Sequence, residues 1–305
     1  MSSLPSNRLK FGALAIGLAI VSHFALPDEA RASPNDAQVI VELCEKMVLD
    51  SGGFVAEADQ AWNVDLVLPN GGALYYMGTT HPSDASSLEY DEIIAAYRRF
   101  DPTAVFFEGC CEVRTKSEAD ARAIHETALV QFLAKLDGVA PISLEPSDIS
   151  LRLALLAEYS ALDVQLFYLL RDIAQERERR DAQGEVLRRR AQWYLDKLLD
   201  MPGPLPDWPL KSLEDVDNAV QVRWPSASWQ TIPLNWFTPY VNSDSAGPLL
   251  FHQINRLENK YRNATMYRHL ASAALRGERV FAAVGRSHVA LQADALQCAL
   301  GNQVG

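Results

Sequence analysis

Two distant stretches of the chain share one pattern, Gly72-Ala-Leu-Tyr-Tyr-Met-Gly-Thr-Thr-His81 and Gly277-Glu-Arg-Val-Phe-Ala-Ala-Val-Gly-Arg-Ser-His288. In each stretch a glycine precedes a short apolar run, and the run ends in a Gly-x-x-His segment. Short runs rich in β-branched and aromatic residues are typical of buried strands. Two halves that each deliver a histidine predict a pseudo-symmetric fold.

Outward from these stretches, apolar runs and helical periodicity alternate along the chain. Strands are predicted at 64–68, 73–77, 103–107, 139–144 and 279–284. Helices are predicted at 36–50, 84–100, 117–136, 247–276 and 290–300, with a mostly helical region from 147 to about 201, broken near Gly184. The segment Pro69-Asn-Gly-Gly72 predicts a hairpin between the first two strands. The sequence therefore predicts an α/β fold with a mixed, largely parallel sheet covered by helices.

The segment 202–240 differs from the rest because it is rich in proline and tryptophan and has few helical periods. It predicts an ordered irregular insertion packed by aromatic side chains. A lid over a functional site is the alternative, since long loops in compact domains are often functional. We expect one domain over residues 33–305 that carries this insertion.

The first 32 residues have the features of a secretory signal peptide. Arg8 and Lys10 precede an apolar run from Phe11 to Leu26, and Ala30-Arg-Ala32 predicts cleavage after Ala32. An uncleaved anchor is the alternative, but the run is shorter than the roughly 18 residues of a spanning helix. The sequence thus predicts an exported protein, periplasmic or secreted, without membrane attachment after cleavage.

Charge and cysteine content narrow the function classes. A net charge of −11 argues against a nucleic-acid partner, because phosphates require a basic surface. The cysteines are Cys44, Cys110, Cys111 and Cys298. Exported chains form disulfides, and a bond between neighbours would be strained, so we expect two long-range bonds. The sequence does not indicate an oligomeric state.

Polar residues follow four of the predicted strands: His81, Glu108, Glu145 and His288. In open α/β sheets, ligands bind beyond the carboxyl ends of the strands, so these side chains are predicted to converge. Two histidines and a carboxylate are the ligand set of a hydrolytic divalent-metal site, here for Mn, Co or Zn. Such a site would use the two histidines and one of the two glutamates as ligands, and the second glutamate would move protons. The same groups can also work without metal, with a histidine as base.

Each of these residues has a structural alternative. A histidine after a strand, such as His81 or His288, is often a hydrogen-bonded turn residue. Glu145 can cap the helix that begins near Ser147. His125 lies in a charged helical setting that is typical of the surface. Two further histidines on the predicted helix 247–276 are expected in the core or on the surface: His252 and His269.

The motifs occur together in one order along the chain. They are Leu74-Tyr-Tyr-Met-Gly-Thr-Thr-His81, Val105-Phe-Phe-Glu108, Ile142-Ser-Leu-Glu145, Tyr261-Arg-Asn263 and Val284-Gly-Arg-Ser-His288. This ordered set resembles the TraB/GumN family, within the wider group of TIKI metalloproteases, erythromycin esterases and ChaN haem-binding proteins. The resemblance spans about residues 73–300.

The resemblance implies an α/β fold with a site where the two Gly-x-x-His segments meet, and metal-dependent proteolysis as the activity. It implies that His81, Glu108 and His288 form the metal or active-site core and that Glu145 is a second acidic group. It also implies that Arg262 stabilises negative charge or holds a carboxylate; a salt bridge that fixes its helix is the alternative. The implied partner is a peptide or a small-molecule substrate. A metal-free esterase and a haem-binding protein remain as alternatives. Haem would need an axial ligand, for which three tyrosines are available: Tyr75, Tyr76 and Tyr90.

Overall fold

The computed structural model describes residues 34–53, 62–239 and 247–301. The predicted signal peptide, residues 1–32, lies outside them. The strands are β1 (Asn63–Val67), β2 (Ala73–Thr79), β3 (Ala104–Phe107), β4 (Pro141–Ser143) and β5 (Arg279–Gly285). They form one sheet in the order β1-β2-β5-β3-β4, in which only the hairpin pair β1–β2 is antiparallel. The predicted α/β fold with a mixed, largely parallel sheet is confirmed.

Helices surround the sheet. They are α1 (Pro34–Glu45), α2 (Leu88–Phe100), α3 (Glu118–Ile124), α4 (Glu126–Leu136), α5 (Asp148–Leu156), α6 (Ala161–Arg180), α7 (Gly184–Leu199), α8 (Leu213–Arg223), α9 (Leu249–Leu275) and α10 (Arg286–Leu296). Serine side chains accept hydrogen bonds at the start of five of them: Ser87, Ser117, Ser147, Ser160 and Ser212. In the described part of the chain, no helix has the length and apolarity needed to cross a membrane.

The sheet is the middle layer of three, because its side chains alternate between two helical layers. Residues that pack towards α9 and α10 are Leu74, Tyr76, Phe106, Val280, Ala282 and Val284. Residues that pack towards α2 and α4 are Tyr75, Met77, Val105, Phe107, Phe281 and Ala283. Strands β2 and β5 are buried on both faces, which explains why their sequences are continuous apolar runs.

The segment 202–240 was predicted to be irregular, and this was wrong for its middle part. It contains α8, which begins with a capping box between Ser212 and Asp215. Side chains on both sides of the helix, Trp208 and Trp229 among them, pack with Phe167 in a separate helical core. The described residues from Pro34 to Gly301 still belong to one compact unit.

Two further helix predictions need correction. The predicted helix 117–136 is two helices, α3 and α4, separated at His125. The last helix begins at Arg286, immediately after β5, and not at 290 as predicted. Both corrections concern the site, because each moves a polar side chain to the start of a helix.

Candidate functional site

The carboxyl ends of four parallel strands meet at one edge of the sheet, as predicted. The last residues of β2 and β5 are paired, and β3 lies between β5 and β4. His81, Glu108, Glu145 and His288 follow these strands, and Arg262 reaches the same edge from α9. All five residues predicted from the sequence belong to one neighbourhood: Arg262 and His288 contact Glu108, Glu145 contacts Arg262, and His81 lies beside Gly285, which donates to Glu108.

Glu108 is the centre of this neighbourhood. Its Oε2 accepts a hydrogen bond of 2.7 Å from the backbone N–H of Gly285. Its Oε1 lies 3.2 Å from Arg262 Nη2 and 3.3 Å from His288 Nε2. Burial by itself raises the pKa of Glu108, but His288, Arg262 and the Gly285 N–H together outweigh it and hold the pKa well below its usual range. Glu108 is therefore a carboxylate near neutral pH.

Arg262 links Glu108 to Glu145. Its Nε donates to Glu145 Oε2 at 2.7 Å and its Nη2 donates to Glu145 Oε1 at 2.5 Å, the two-pronged geometry that guanidinium groups favour. Burial opposes the charge of Arg262, but Glu145 and Glu108 raise its pKa above the ordinary value. The cap of α5 is supplied by Ser147, so Glu145 is engaged with Arg262 and not with the helix start.

His288 lies in the first turn of α10 and is only 6% exposed. Its Nδ1 is 2.8 Å from Asn263 Oδ1. The amide nitrogen of Asn263 donates to the carbonyl of Asn259, so the amide oxygen faces His288. The hydrogen of the ring therefore belongs on Nδ1, and Nε2 is directed at the Glu108 carboxylate.

His81 differs in its surroundings. It lies in the loop after β2 with φ 55°, a left-handed conformation that is uncommon for residues other than glycine. Its Nδ1 is 2.5 Å from Oε1 of Glu126, and the side chain is 56% exposed. The hydrogen bond that His81 donates to Glu126 raises the pKa of His81, against a smaller opposing effect of burial.

Two glycines let the halves of the pattern approach each other. A Cβ on Gly285 would lie 2.5 Å from His81 Nε2 and 3.4 Å from Glu108 Oε2. A Cβ on Gly78 would lie 2.8 Å from the Cα of Arg286, at the start of α10. Each Gly-x-x-His segment thus supplies a glycine that makes room for the other segment. Consequently His288 Nε2 lies 3.3 Å from Glu108 Oε1, and His81 Nε2 lies beside Gly285, whose N–H donates to Glu108.

Glu126 is a residue of the site that the sequence interpretation missed. The chain is extended at His125, whose Nδ1 caps α4 by accepting from Ala128 N at 3.3 Å. Glu126 is 2% exposed, and its Oε2 has no hydrogen-bond partner among the described residues. A sequence signal existed, because Glu126 shares one helical face with the apolar residues Leu129 and Leu133.

The site opens into a cleft of about 450 Å³. Its lining residues are His81, Glu108, Gly109, Cys110, Cys111, Val113, His125, Glu126 and Thr127. The tyrosines considered as haem ligands do not line it: they are buried in the core around the sheet. His252 is buried and bonded to Thr238 O, and His269 is exposed on α9, so neither lines the cleft. No residue of the described part of 202–240 lines it either.

The disulfide prediction was half right. Cys44 and Cys298 form a long-range bond, with Cα atoms 5.7 Å apart, because α1 and the chain end after α10 pack on the same face of the sheet. Cys110 and Cys111 are not in a second long-range bond. Both are exposed free thiols, with Sγ atoms 2.6 Å apart, and their contact raises the pKa of Cys110 to about 11.

The spacing of the nitrogen and oxygen atoms around Glu108 can be compared with the spacing that a divalent cation requires. In the described part of the chain, no three His, Cys, Asp or Glu side chains form a ready-made metal site. His288 Nε2 and Glu108 Oε1, however, are 3.3 Å apart. Two ligands about 2.1 Å from a tetrahedral ion are roughly 3.4 Å apart, so this pair has the required spacing. Both histidines also have a side-chain acceptor at Nδ1, as ligating histidines do. The donor chemistry fits a cation beside Glu108.

Comparisons of the chain with family models, with curated proteins and with solved structures find no match. The resemblance to TraB/GumN proteins therefore stays a prediction that depends on the motifs. The convergence of those motifs at one sheet edge is a separate observation, made from the geometry of Glu108 and its partners.

Proposed function

We propose that this chain is an exported, metal-dependent hydrolase of the TraB/GumN-TIKI type, acting on peptides. The observation that carries the proposal is the orientation of the two histidines. Each has Nδ1 occupied by a side-chain acceptor, Glu126 or Asn263; His288 Nε2 lies 3.3 Å from the Glu108 carboxylate, and His81 Nε2 lies beside Gly285, whose N–H donates to Glu108. Two imidazole nitrogens around one carboxylate are a hydrolytic metal's preferred ligands.

In this proposal His81, Glu108 and His288 hold a Mn, Co or Zn ion. When bound, such an ion supplies Lewis acidity, which polarises a carbonyl and makes a water more acidic. Glu126 fixes the ring of His81, and Asn263 fixes the ring of His288, because each accepts the Nδ1 hydrogen. Rings held in this way keep the hydrogen on Nδ1 and leave Nε2 as the atom that would bind the cation.

The remaining charged groups have separate roles. Arg262 donates to Glu108 and to both oxygens of Glu145, so Glu145 holds Arg262 in place while Arg262 faces the negative charge that develops during hydrolysis. Both oxygens of Glu145 are therefore engaged. Glu126 Oε2 is buried and has no hydrogen-bond partner among the described residues, so the role of Glu126 is to position His81 through Oε1.

The cleft supports a substrate of limited size. A volume of about 450 Å³ lies within the range of roughly 300–1,000 Å³ that is typical of small-molecule sites. It would hold one or two residues of a peptide around the scissile bond, with the rest of the chain outside. The predicted signal peptide and cleavage after Ala32 remain the basis for proposing periplasmic or extracellular substrates.

Metal content and thermal stability of the chain Ser33–Gly305 test the proposal. The measurement is repeated after chelation and after adding Mn²⁺, Co²⁺ or Zn²⁺. A cation at roughly 100 times its Kd stabilises the native state by about 2.7 kcal/mol, which for a chain of this size raises Tm by about 5 °C. The same samples are assayed with a library of internally quenched peptides. We expect a Tm rise and peptide cleavage with the same cation.

His81→Ala should abolish both the cation-induced Tm rise and cleavage. The matched control is His269→Ala, which removes an exposed histidine of α9 outside the cleft and should leave both unchanged. If no cation changes Tm, or if the response survives in His81→Ala, the proposed ligand set is wrong.

A metal-free hydrolase is a second candidate, and one observation favours it. Glu108 already interacts with Arg262, His288 and the Gly285 N–H, which together neutralise its charge without a cation. In that case the His81–Glu126 pair would act as the base for water, as in esterases. Hydrolysis of ester substrates that is insensitive to chelation, together with no cation-induced Tm rise, would favour this candidate.

A further inference from the structure

Two neighbouring free thiols, Cys110 and Cys111, lie in the wall of the cleft, immediately beyond Glu108 and Gly109. Their Sγ atoms are 2.6 Å apart, so the two sulfurs are already in contact. We propose that this pair is a reversible oxidation site, at which a low-molecular-weight disulfide converts the two thiols into a vicinal disulfide bordering the cleft. The proposal does not depend on the metal or on the reaction proposed above.

The loop that carries the thiols is held from both sides. Ser143 Oγ donates to the carbonyl of Gly109 at 2.7 Å. Gln131, which is fully buried on α4, accepts from Val113 N at 2.7 Å and donates to the carbonyl of Cys111 at 3.3 Å. Because a residue on each side of the pair is anchored, the two sulfurs are kept together on the exposed side of the loop.

No other cysteine can react with the pair within the chain. The sequence contains four cysteines, and Cys44 is bonded to Cys298. An oxidised Cys110 therefore has Cys111 as its one intramolecular partner. The remaining products would be a mixed disulfide with the oxidant or a disulfide between two copies of the chain.

The chemistry balances with a disulfide oxidant, RSSR. The thiolate of one cysteine attacks a sulfur of RSSR, forming a protein–S–SR bond and releasing RS⁻. The neighbouring sulfur, after losing its proton, attacks the protein sulfur of that bond and displaces the second RS⁻. The two thiolates released take up the two protons. The net change is oxidation of the protein dithiol to a disulfide and reduction of RSSR to two RSH.

The product would be readily reduced. Neighbouring Cα atoms across a trans peptide are about 3.8 Å apart, whereas disulfides usually join Cα atoms about 4.4–6.8 Å apart. Such a bond is strained, and strained bonds have more oxidising potentials than structural ones. The Cys44–Cys298 bond, with a Cα separation of 5.7 Å, falls in the ordinary range and serves as an internal reference.

Mass spectrometry with thiol trapping tests the proposal. The native chain Ser33–Gly305 is equilibrated in glutathione buffers from fully reduced to fully oxidised, and free thiols are then alkylated. We expect two alkylated cysteines at the reduced end and none at the oxidised end. The peptide containing Cys110 and Cys111 should lose two hydrogens and carry no glutathione. The vicinal bond should be reduced in buffers that leave the Cys44–Cys298 bond intact.

Cys110→Ser and Cys111→Ser are the matched variants. Each keeps one exposed thiol and should stop at the glutathione adduct, because the displacing sulfur is missing. Three results would overturn the proposal: stable glutathione adducts in the unmodified chain, a disulfide between two copies of the chain, or two thiols that stay alkylatable in the oxidised buffer. Circular dichroism of the variants checks that the fold is retained, since both residues are exposed.

Discussion

His81 and His288 end the same sequence pattern on adjacent parallel strands, yet they have opposite surroundings. His81 is 56% exposed, in a left-handed loop position against Glu126. His288 is 6% exposed, in the first turn of α10 against Asn263. The difference arises after the glycine: one chain continues as a loop, and the other enters a helix at once. The same motif therefore places one imidazole, that of His81, at the surface and the other, that of His288, in the interior.

The difference predicts different costs for losing each ring. A buried ring with two polar partners is part of the fold, whereas an exposed ring contributes mainly to the site. Glu108 contacts His288 and accepts from Gly285, beside which His81 lies. The two histidines can therefore act at the same carboxylate while making unequal contributions to stability. Three experiments, in order of decreasing expected effect, test whether the two histidines differ in this way.

The largest effect is expected for His288→Ala. Removing the ring leaves Glu108 without one of its polar partners and leaves a cavity beside Asn263. We expect the free energy of unfolding, measured by urea denaturation, to fall by about 3 kcal/mol. His81→Ala should cost about 1 kcal/mol, since water can replace the exposed ring beside Glu126. Equal losses in the two variants would remove the distinction between an embedded and an accessible histidine.

A smaller effect is expected for Gly285→Ala, which disturbs His81 without changing it. The added Cβ would overlap His81 Nε2, while the backbone of Gly285, with φ −54°, accepts alanine. We expect the free energy of unfolding to fall by about 1–2 kcal/mol and the cation-induced Tm rise to disappear.

The double variant Gly285→Ala with His81→Ala provides the control. Once the ring is absent, the added methyl group has nothing to displace, so Gly285→Ala should then cost almost nothing. Thermal denaturation of the four proteins in this cycle gives the coupling energy, which we expect to be about 1–2 kcal/mol. A coupling near zero would mean that Gly285 does not make room for His81.

The smallest effect concerns charge alone. Glu126→Gln keeps an oxygen for the Nδ1 hydrogen of His81 but removes the negative charge that raises the pKa of His81. We expect the pKa of His81 to fall towards the ordinary value of about 6.5 in the variant. NMR titration of the imidazole Cε1 proton measures it. Glu92→Gln, on the exposed side of α2, is the control and should leave the pKa of His81 unchanged.

The raised pKa of His81 determines how the stability loss in Glu126→Gln depends on pH. The His81–Glu126 ion pair stabilises the native state fully below the pKa of the unfolded histidine, and that contribution is lost as the pH rises through the higher pKa of the folded state. Glu126→Gln should therefore lower stability more at acidic pH than at alkaline pH. An equal loss at both ends of the titration would assign the role of Glu126 to packing.

The centre of the sheet could be predicted from sequence because β2 and β5 are buried on both faces and have continuous apolar sequences. The convergence of His81, Glu108, Glu145 and His288 followed from one rule, that parallel strands end at the same edge. Arg262 could be predicted only from the order of the motifs along the chain, because it lies on helix α9 and does not follow a strand. These parts of the site depend on local patterns that a single sequence contains.

Other parts depend on contacts that no local pattern contains. The predicted helix 117–136 breaks because His125 turns its side chain back to cap Ala128 N, and that break positions Glu126. Helix α8 was missed because the prolines and tryptophans around it dominate the composition of 202–240. The pairing of Cys44 with Cys298 depends on two distant segments packing on the same face of the sheet.

That pairing has a consequence for the integrity of the molecule. The Cys44–Cys298 bond joins positions 254 residues apart, so almost the whole folded chain is a covalent ring with short tails. In the unfolded state, closing so large a ring removes chain entropy equivalent to about 5 kcal/mol. A single proteolytic nick anywhere within the ring would linearise it without releasing a fragment. Such a nick would be invisible on a gel until the disulfide is reduced.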